Sequence, residues 1–137
     1  MFEIFPSQHP LSQVDHRYDH LTEPILSAVF EVANILGPGF LETVYHKALF
    51  RELKLRGLTV TTQSPYPVFY KDQQVGDYYA DLVVENTVIL ELKCVDRFRD
   101  EHTAQCINYL KASGLHLCLL INFQKPRVEW RRIVHNL

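Results

Sequence analysis

Residues 80–95 read A-D-L-V-V-E-N-T-V-I-L-E-L-K-C-V. Two apolar, β-branched runs flank the polar triplet Glu85-Asn86-Thr87, the pattern of a strand pair joined by a short loop. Ala80, Leu82, Val84, Val88, Leu90, Leu92 and Cys94 are all even-numbered and all apolar. Strand side chains alternate with period two, so placing these seven on one face sends Asp81, Glu91 and Lys93 to the other. With 85–87 as the loop, Asp81 falls directly opposite Glu91, their Cβ atoms about 4.5–5.5 Å apart, with Lys93 beside Glu91.

Like charges facing each other across a ladder repel, and a buried carboxylate is costly unless something pairs with it. One reading is an ordinary ion-pair face, Asp81 with Lys93 and Glu91 with an arginine. The other is a divalent cation between the carboxylates. Mg²⁺ takes one or two carboxylates and keeps several waters, which leaves positions for phosphate oxygens. A neighbouring lysine could then face a scissile phosphate or help to deprotonate the attacking water. These three residues leave both readings open.

Outward from this pair, Thr22 is placed to cap a helix with Glu23 and Pro24 in its first turn. Ile25, Val29, Val32, Ala33 and Leu36 continue it at helical spacing until Gly37-Pro38-Gly39. A second helix is expected from about Phe40 to Arg56, ended by Gly57. LTVTTQ and YPVFY read as strand, KDQQVG as a polar turn. Asp100 is placed to cap a third helix through Ser113, with Gly114 after its end. HLCLLINF reads as a buried strand, and RVEWRRIVH as an edge strand or short helix. The order of elements predicts a mixed sheet with helices against it, an α/β or α+β domain. Residues 1–20, with two prolines and no sustained period, read as an N-terminal arm or leader, and 21–137 as a single domain.

The 137 residues suit one core, and 47% hydrophobic with 22% charged residues excludes disorder as the default. No apolar run reaches the roughly 18–20 residues of a spanning helix, so a soluble cytoplasmic protein without membrane contact is expected. Cys94, Cys106 and Cys118 include no C-x-x-C pair, which argues against a disulfide framework or a thiolate zinc site. A net charge of −2 argues against binding nucleic acid by bulk charge, yet residues 97–137 carry seven basic against three acidic residues.

Two helices carry further candidates. His102, Gln105 and Tyr109 are spaced to share one face of the third helix. Amide and phenol groups there could orient a lysine, a water or a phosphate without adding charge. Glu42, at the start of the second helix in a stripe with Tyr45 and His46, is most simply a partner of the helix dipole. The sharper alternative is a further oxygen ligand.

Gly39-x-x-Glu42-x-x-Tyr45, the pair A-D-L-V-V-E and V-I-L-E-L-K, the helix H-T-A-Q-C-I-N-Y-L and the strand L-L-I-N-F together resemble the GxxExxY protein family. That bacterial and archaeal family is a branch of the PD-(D/E)XK nuclease superfamily. The resemblance spans roughly residues 21–134 and implies a restriction-endonuclease-like core, a central mixed sheet flanked by helices. It implies that Asp81 and Glu91 bind Mg²⁺ or Mn²⁺ together with the Leu92 carbonyl, that Glu42 adds to the metal site, and that Lys93 is catalytic. Gln105 and Tyr109 match a Q-x-x-x-Y signature that shapes the site around DNA. Ala80 stands where the superfamily name has proline, Ala33 where relatives often have histidine, and the leader has no counterpart. The resulting expectation is a metal-dependent nuclease acting on DNA, with His102, Arg127, Arg131 and Arg132 as candidate nucleic-acid contacts and a homodimer or protein partner possible. The alternative is an inactive nuclease-fold module that binds nucleic acid or a protein.

Overall fold

The computed structural model describes residues 2–6 and 16–136. Its elements are β1 (Phe2–Pro6), α1 (Asp19–Leu36), α2 (Glu42–Leu55), β2 (Val60–Tyr70), β3 (Gln73–Val84), β4 (Val88–Lys93), α3 (Asp100–Ser113), β5 (Leu117–Asn122) and β6 (Glu129–His135). The six strands form one sheet in the order β1-β6-β5-β4-β3-β2. Only β4 and β5 run parallel, joined by the α3 crossover; the other four pairings are antiparallel.

Alternation along the strands builds two cores. Leu82, Val84, Val88, Leu90 and Leu92 pack with Leu117, Leu119 and Ile121 under α1 and α2. Val83, Ile89, Cys118, Leu120 and Ile133 pack with Cys106, Tyr109 and Leu110 of α3. All six residues of β5 are buried, as a central strand covered on both faces requires. The three cysteines are free, Cys106 and Cys118 within the α3 core.

Several boundaries differ from those expected, each for a local reason. α1 begins at Asp19 rather than after Thr22, because buried Leu21 extends the apolar stripe of Ile25, Ala28 and Val29 by a turn. Pro24 therefore lies inside the helix. α3 is capped by Arg99, not Asp100: the His102 N–H donates to the Arg99 carbonyl at 3.0 Å and the Arg99 N–H to His102 Nδ1 at 3.0 Å. The polar turn shrinks to Lys71-Asp72, both at positive φ (46° and 66°), a two-residue hairpin turn that leaves Gln73–Gly76 in β3. β2 is one continuous edge strand, and the edge is where Pro65 and Pro67 can be tolerated. β6 is a strand, but an interior one, since residues 2–6 of the expected arm pair along it from Phe2↔His135 to Pro6↔Arg131.

The hairpin at 85–87 has the expected register, Leu82↔Leu90 through Val84↔Val88. The expected seven-residue apolar face nevertheless breaks. Ala80 packs with the α3 core while Leu82 packs under α1 and α2, although both are even-numbered. β3 therefore rolls about its axis at Asp81. Opposite it the β2 ladder steps from Thr62↔Leu82 to Ser64↔Ala80 across Gln63, whose φ of 53° is left-handed. Among the described residues no helix is long and apolar enough to cross a membrane.

Candidate active site

The roll at Asp81 ends the β3–β4 ladder and opens the sheet there. Beyond Leu82↔Leu90, the Leu92 N–H donates to the Asp81 carboxylate at 2.9 Å instead of to a backbone carbonyl of β3. The Asp81 carbonyl accepts from His46 Nε2 of α2 at 3.0 Å, so α2 and β4 hold this residue from two directions. In a strand a residue's N–H and C=O leave toward the same neighbour, so the Leu92 carbonyl also faces the opened edge. The Lys93 carbonyl points the other way and accepts from the Phe123 N–H at 3.0 Å.

Continued by one step, the hairpin register sets Asp81 level with Glu91. Glu91 is only 3% exposed, and its Oε2 is buried without a hydrogen-bond partner. Its carboxyl is pushed up to about 9, first by burial and then by the neighbouring Asp81, with Lys93 opposing. Lys93 Nζ lies 3.6 Å from Glu91 Oε1. The simple ion-pair face, Asp81 with Lys93 and Glu91 with an arginine, does not form. Two carboxyl groups instead share a nearly dry corner with one lysine at the rim.

The other half of the corner comes from α3. Lys93 Nζ donates to Gln105 Oε1 at 2.8 Å, Gln105 Nε2 donates to the Tyr109 hydroxyl at 3.1 Å, and that hydroxyl donates to the Tyr79 carbonyl at 2.9 Å. The i, i+4 spacing of Gln105 and Tyr109 lets one helix face carry the whole relay. Burial, then Glu91 and Asp81, raise the Tyr109 phenol, which keeps it a proton donor. His102, one turn earlier, caps α3 and does not join the relay.

Glu42 opens α2 on a chain turned by Gly37 and Gly39 at positive φ, with the Tyr45 hydroxyl donating to the Gly37 carbonyl. Burial and then Asp81 raise its carboxyl, while Lys93 and His46 lower it, so Glu42 lies within the field of the same corner. It is not gathered with Asp81 and Glu91 into a close group. Among the described residues no three His, Cys, Asp or Glu side chains come together as a metal cage. A cation with two carboxylates, a carbonyl and waters still fits this corner, because an orphaned buried oxygen and a like-charged neighbour are what such an ion would relieve.

Of the four expected nucleic-acid contacts, His102 and Arg131 both meet the Phe98 ring, whereas Arg127 and Arg132 lie elsewhere. His102 lines a polar cleft with Arg97 and Arg99. Arg131 lies over the Phe98 ring at 4.9 Å. Arg127 is exposed on the β5–β6 loop and lines a different cleft with Phe30 and Trp130, on the α1 side. Arg132 is not the surface cation expected: it is 3% exposed, with Nη1 3.9 Å from Asp19 Oδ1 of α1. Its register between Phe5 and Leu119 in the covered interior of the sheet is the reason. The sequence reading did not assign His46, four residues after Glu42 on the same helix face, nor Arg97 and Arg99, whose signal was the basic run that follows Lys93.

A family model of the PD-(D/E)XK nuclease superfamily matches residues 19–133. The fold is similar to the crystal structure of SSO0001, with a TM-score of 0.56 at 18% identity, covering 88% of this chain and 60% of that one. This chain thus spans less than two thirds of the length of that structure, and at such identity the likeness concerns the fold. No curated protein matches significantly.

Proposed function

The chain belongs to the PD-(D/E)XK nuclease superfamily, and from that premise we propose that it is a nuclease of the GxxExxY branch that hydrolyses phosphodiester bonds in DNA with Mg²⁺ or Mn²⁺. The observation that carries this reading is Glu91: a buried carboxyl with an unpartnered oxygen, level with Asp81 and 3.6 Å from Lys93. Such a group is a liability in a purely structural corner. Beside a cation and a phosphate it becomes useful.

Asp81, Glu91 and the Leu92 carbonyl would hold the ion, with Glu42 contributing through its field or through a water. When bound, the ion would offset charge on the phosphate and make a water more acidic. The chain's own contribution is positioning. Gln105 fixes one Lys93 N–H, so the remaining two can face the attacking water and a phosphate oxygen. Tyr109, anchored on the Tyr79 carbonyl, keeps the Gln105 amide oriented so that its oxygen faces the lysine. As the family resemblance implies, water would attack phosphorus and the P–O3′ bond would break, so the leaving oxygen takes a proton to become a 3′-hydroxyl and the other product end keeps a 5′-phosphate.

Supercoiled and linear DNA incubated with Mn²⁺ or with EDTA tests the reading. Wild type should cleave only with the metal, and Lys93→Ala should lose about 10²–10⁴-fold in rate, the usual range for a positioned proton-transfer group. Equal rates for wild type and Lys93→Ala would sink it.

A further inference from the structure

The β4–α3 connection encloses a polar cleft of about 580 Å³, lined by Cys94, Val95, Asp96, Arg97, Arg99 and His102. It begins at the residue after Lys93, so it adjoins the corner described above. Arg97 and Arg99 are exposed, and among the described residues neither guanidinium has a carboxylate partner. Asp96 is the one acid in the lining.

His102 shows how the charge converges. Its Nδ1 accepts the Arg99 N–H, which leaves the ring proton on Nε2 as a donor. Burial first, then Lys93, and further Arg99 and Arg131 hold the imidazole below its usual value against the opposing Glu101. Lys93, Arg99 and Arg131 therefore all act on one ring that lines the cleft. Arg131 is held by the Phe98 ring, itself edge-on to His102 at 6.4 Å. Arginine forks match phosphate oxygens two at a time, and a cleft furnishing donors with a single opposing acid suits a singly charged diester phosphate.

The geometry points to this cleft as the subsite for a phosphate flanking the bond to be cut on the same nucleic-acid strand, gripped by Arg97 and Arg99 with the His102 Nε2–H as an additional donor. The assignment rests on the nuclease reading for the position of the scissile phosphate, and it adds which neighbouring residues track the strand. The chain has a net charge of −2, so a local grip of this kind is what would hold an anionic polymer at the corner.

The test reads binding without turnover: anisotropy of a fluorescent oligonucleotide on the full chain in Ca²⁺, across a salt titration, for wild type and Arg97→Ala/Arg99→Ala. The double variant should bind about 10-fold more weakly and lose roughly 1–2 units of the log–log salt slope, one for each phosphate contact removed. A control, Lys54→Ala/Lys71→Ala, removes the same charge from the outer part of α2 and the hairpin tip and should keep the wild-type slope. Equal losses in both double variants would reduce the effect to bulk charge and overturn the subsite. So would inorganic phosphate that binds wild type but not the arginine variant while oligonucleotide affinity stays level, since the cleft would then serve free phosphate. Under Mn²⁺ the same variant should raise KM more than it lowers kcat. Wild type that binds in this pattern yet never cleaves would remove the nuclease reading and leave the subsite standing.

Discussion

The two halves of the corner solve opposite problems. On the α3 side, the chain Lys93–Gln105–Tyr109–Tyr79 gives each member a partner within 3.1 Å. On the strand side, Asp81 spends a carboxylate oxygen on the Leu92 N–H, and Glu91 keeps a buried oxygen with nothing to bond. A satisfied network fixes geometry and stabilises the fold; an unsatisfied carboxyl beside another acid costs stability and stores a demand for positive charge. The α3 half is thus built as rigid support, and the strand half is left with an unmet polar demand.

Glu91→Gln should separate the two halves most strongly. Cleavage should fall by more than 10²-fold, while the metal-free fold should become more stable by about 1–3 kcal/mol near pH 8, the scale of relieving a buried unsatisfied group. The sign follows from Glu91 itself, raised to about 9 from an ordinary value of 4.5. Between those values the folded chain holds a proton that the unfolded chain has released, so stability is fully present below about pH 4.5 and is lost as pH rises toward 9. Glutamine carries no such proton. Its advantage in thermal melts should therefore widen from pH 5 to pH 8; a constant or shrinking gap would mean Glu91 is not held protonated.

Metal addition addresses the same half from the other side. Any ion that binds only the folded state stabilises it, by about 2.7 kcal/mol at a hundred times its Kd. Mn²⁺ should raise the melting temperature of wild type at pH 8 by several degrees and leave Glu91→Gln nearly unmoved. A shift of equal size in both proteins would place the ion elsewhere.

How much of this was legible beforehand follows from what each feature depends on. The face of Glu91 and Lys93 and the 85–87 loop depend on local alternation and a turn, so reading parity along residues 82–94 was enough. The roll at Asp81 was hidden because alanine at 80 fits either core, and its place in the α3 core goes with a left-handed Gln63 on the neighbouring strand, which no residue type announces. Arg132 looked like a surface cation in an alternating strand. Its burial depends on Asp19 and on a strand formed more than a hundred residues earlier in the chain, which no local window contains. Gln105 and Tyr109 were legible as a helix face, whereas the carbonyl that anchors them belongs to Tyr79, a backbone group that carries no residue-type signal at all.

That anchoring gives the smallest effect and the finest test of which half is the support. Tyr109→Phe removes the donor to the Tyr79 carbonyl and the acceptor for Gln105 Nε2, but keeps the ring, which meets Tyr78 edge-on at 5.5 Å between centroids. The loss in stability should be about 0.5–1.5 kcal/mol, the net worth of a typical hydrogen bond. If the relay positions Lys93, kcat should fall by about 3–10-fold with KM little changed, because Gln105 gains freedom to turn its amide away from the lysine. The stability loss should also persist at pH 5 and pH 8 alike, since no proton is gained or released there when the fold forms. A Tyr109→Phe protein with wild-type kcat and a reduced melting temperature would confine the phenol to structure, and the support of Lys93 would then reside in Gln105 alone.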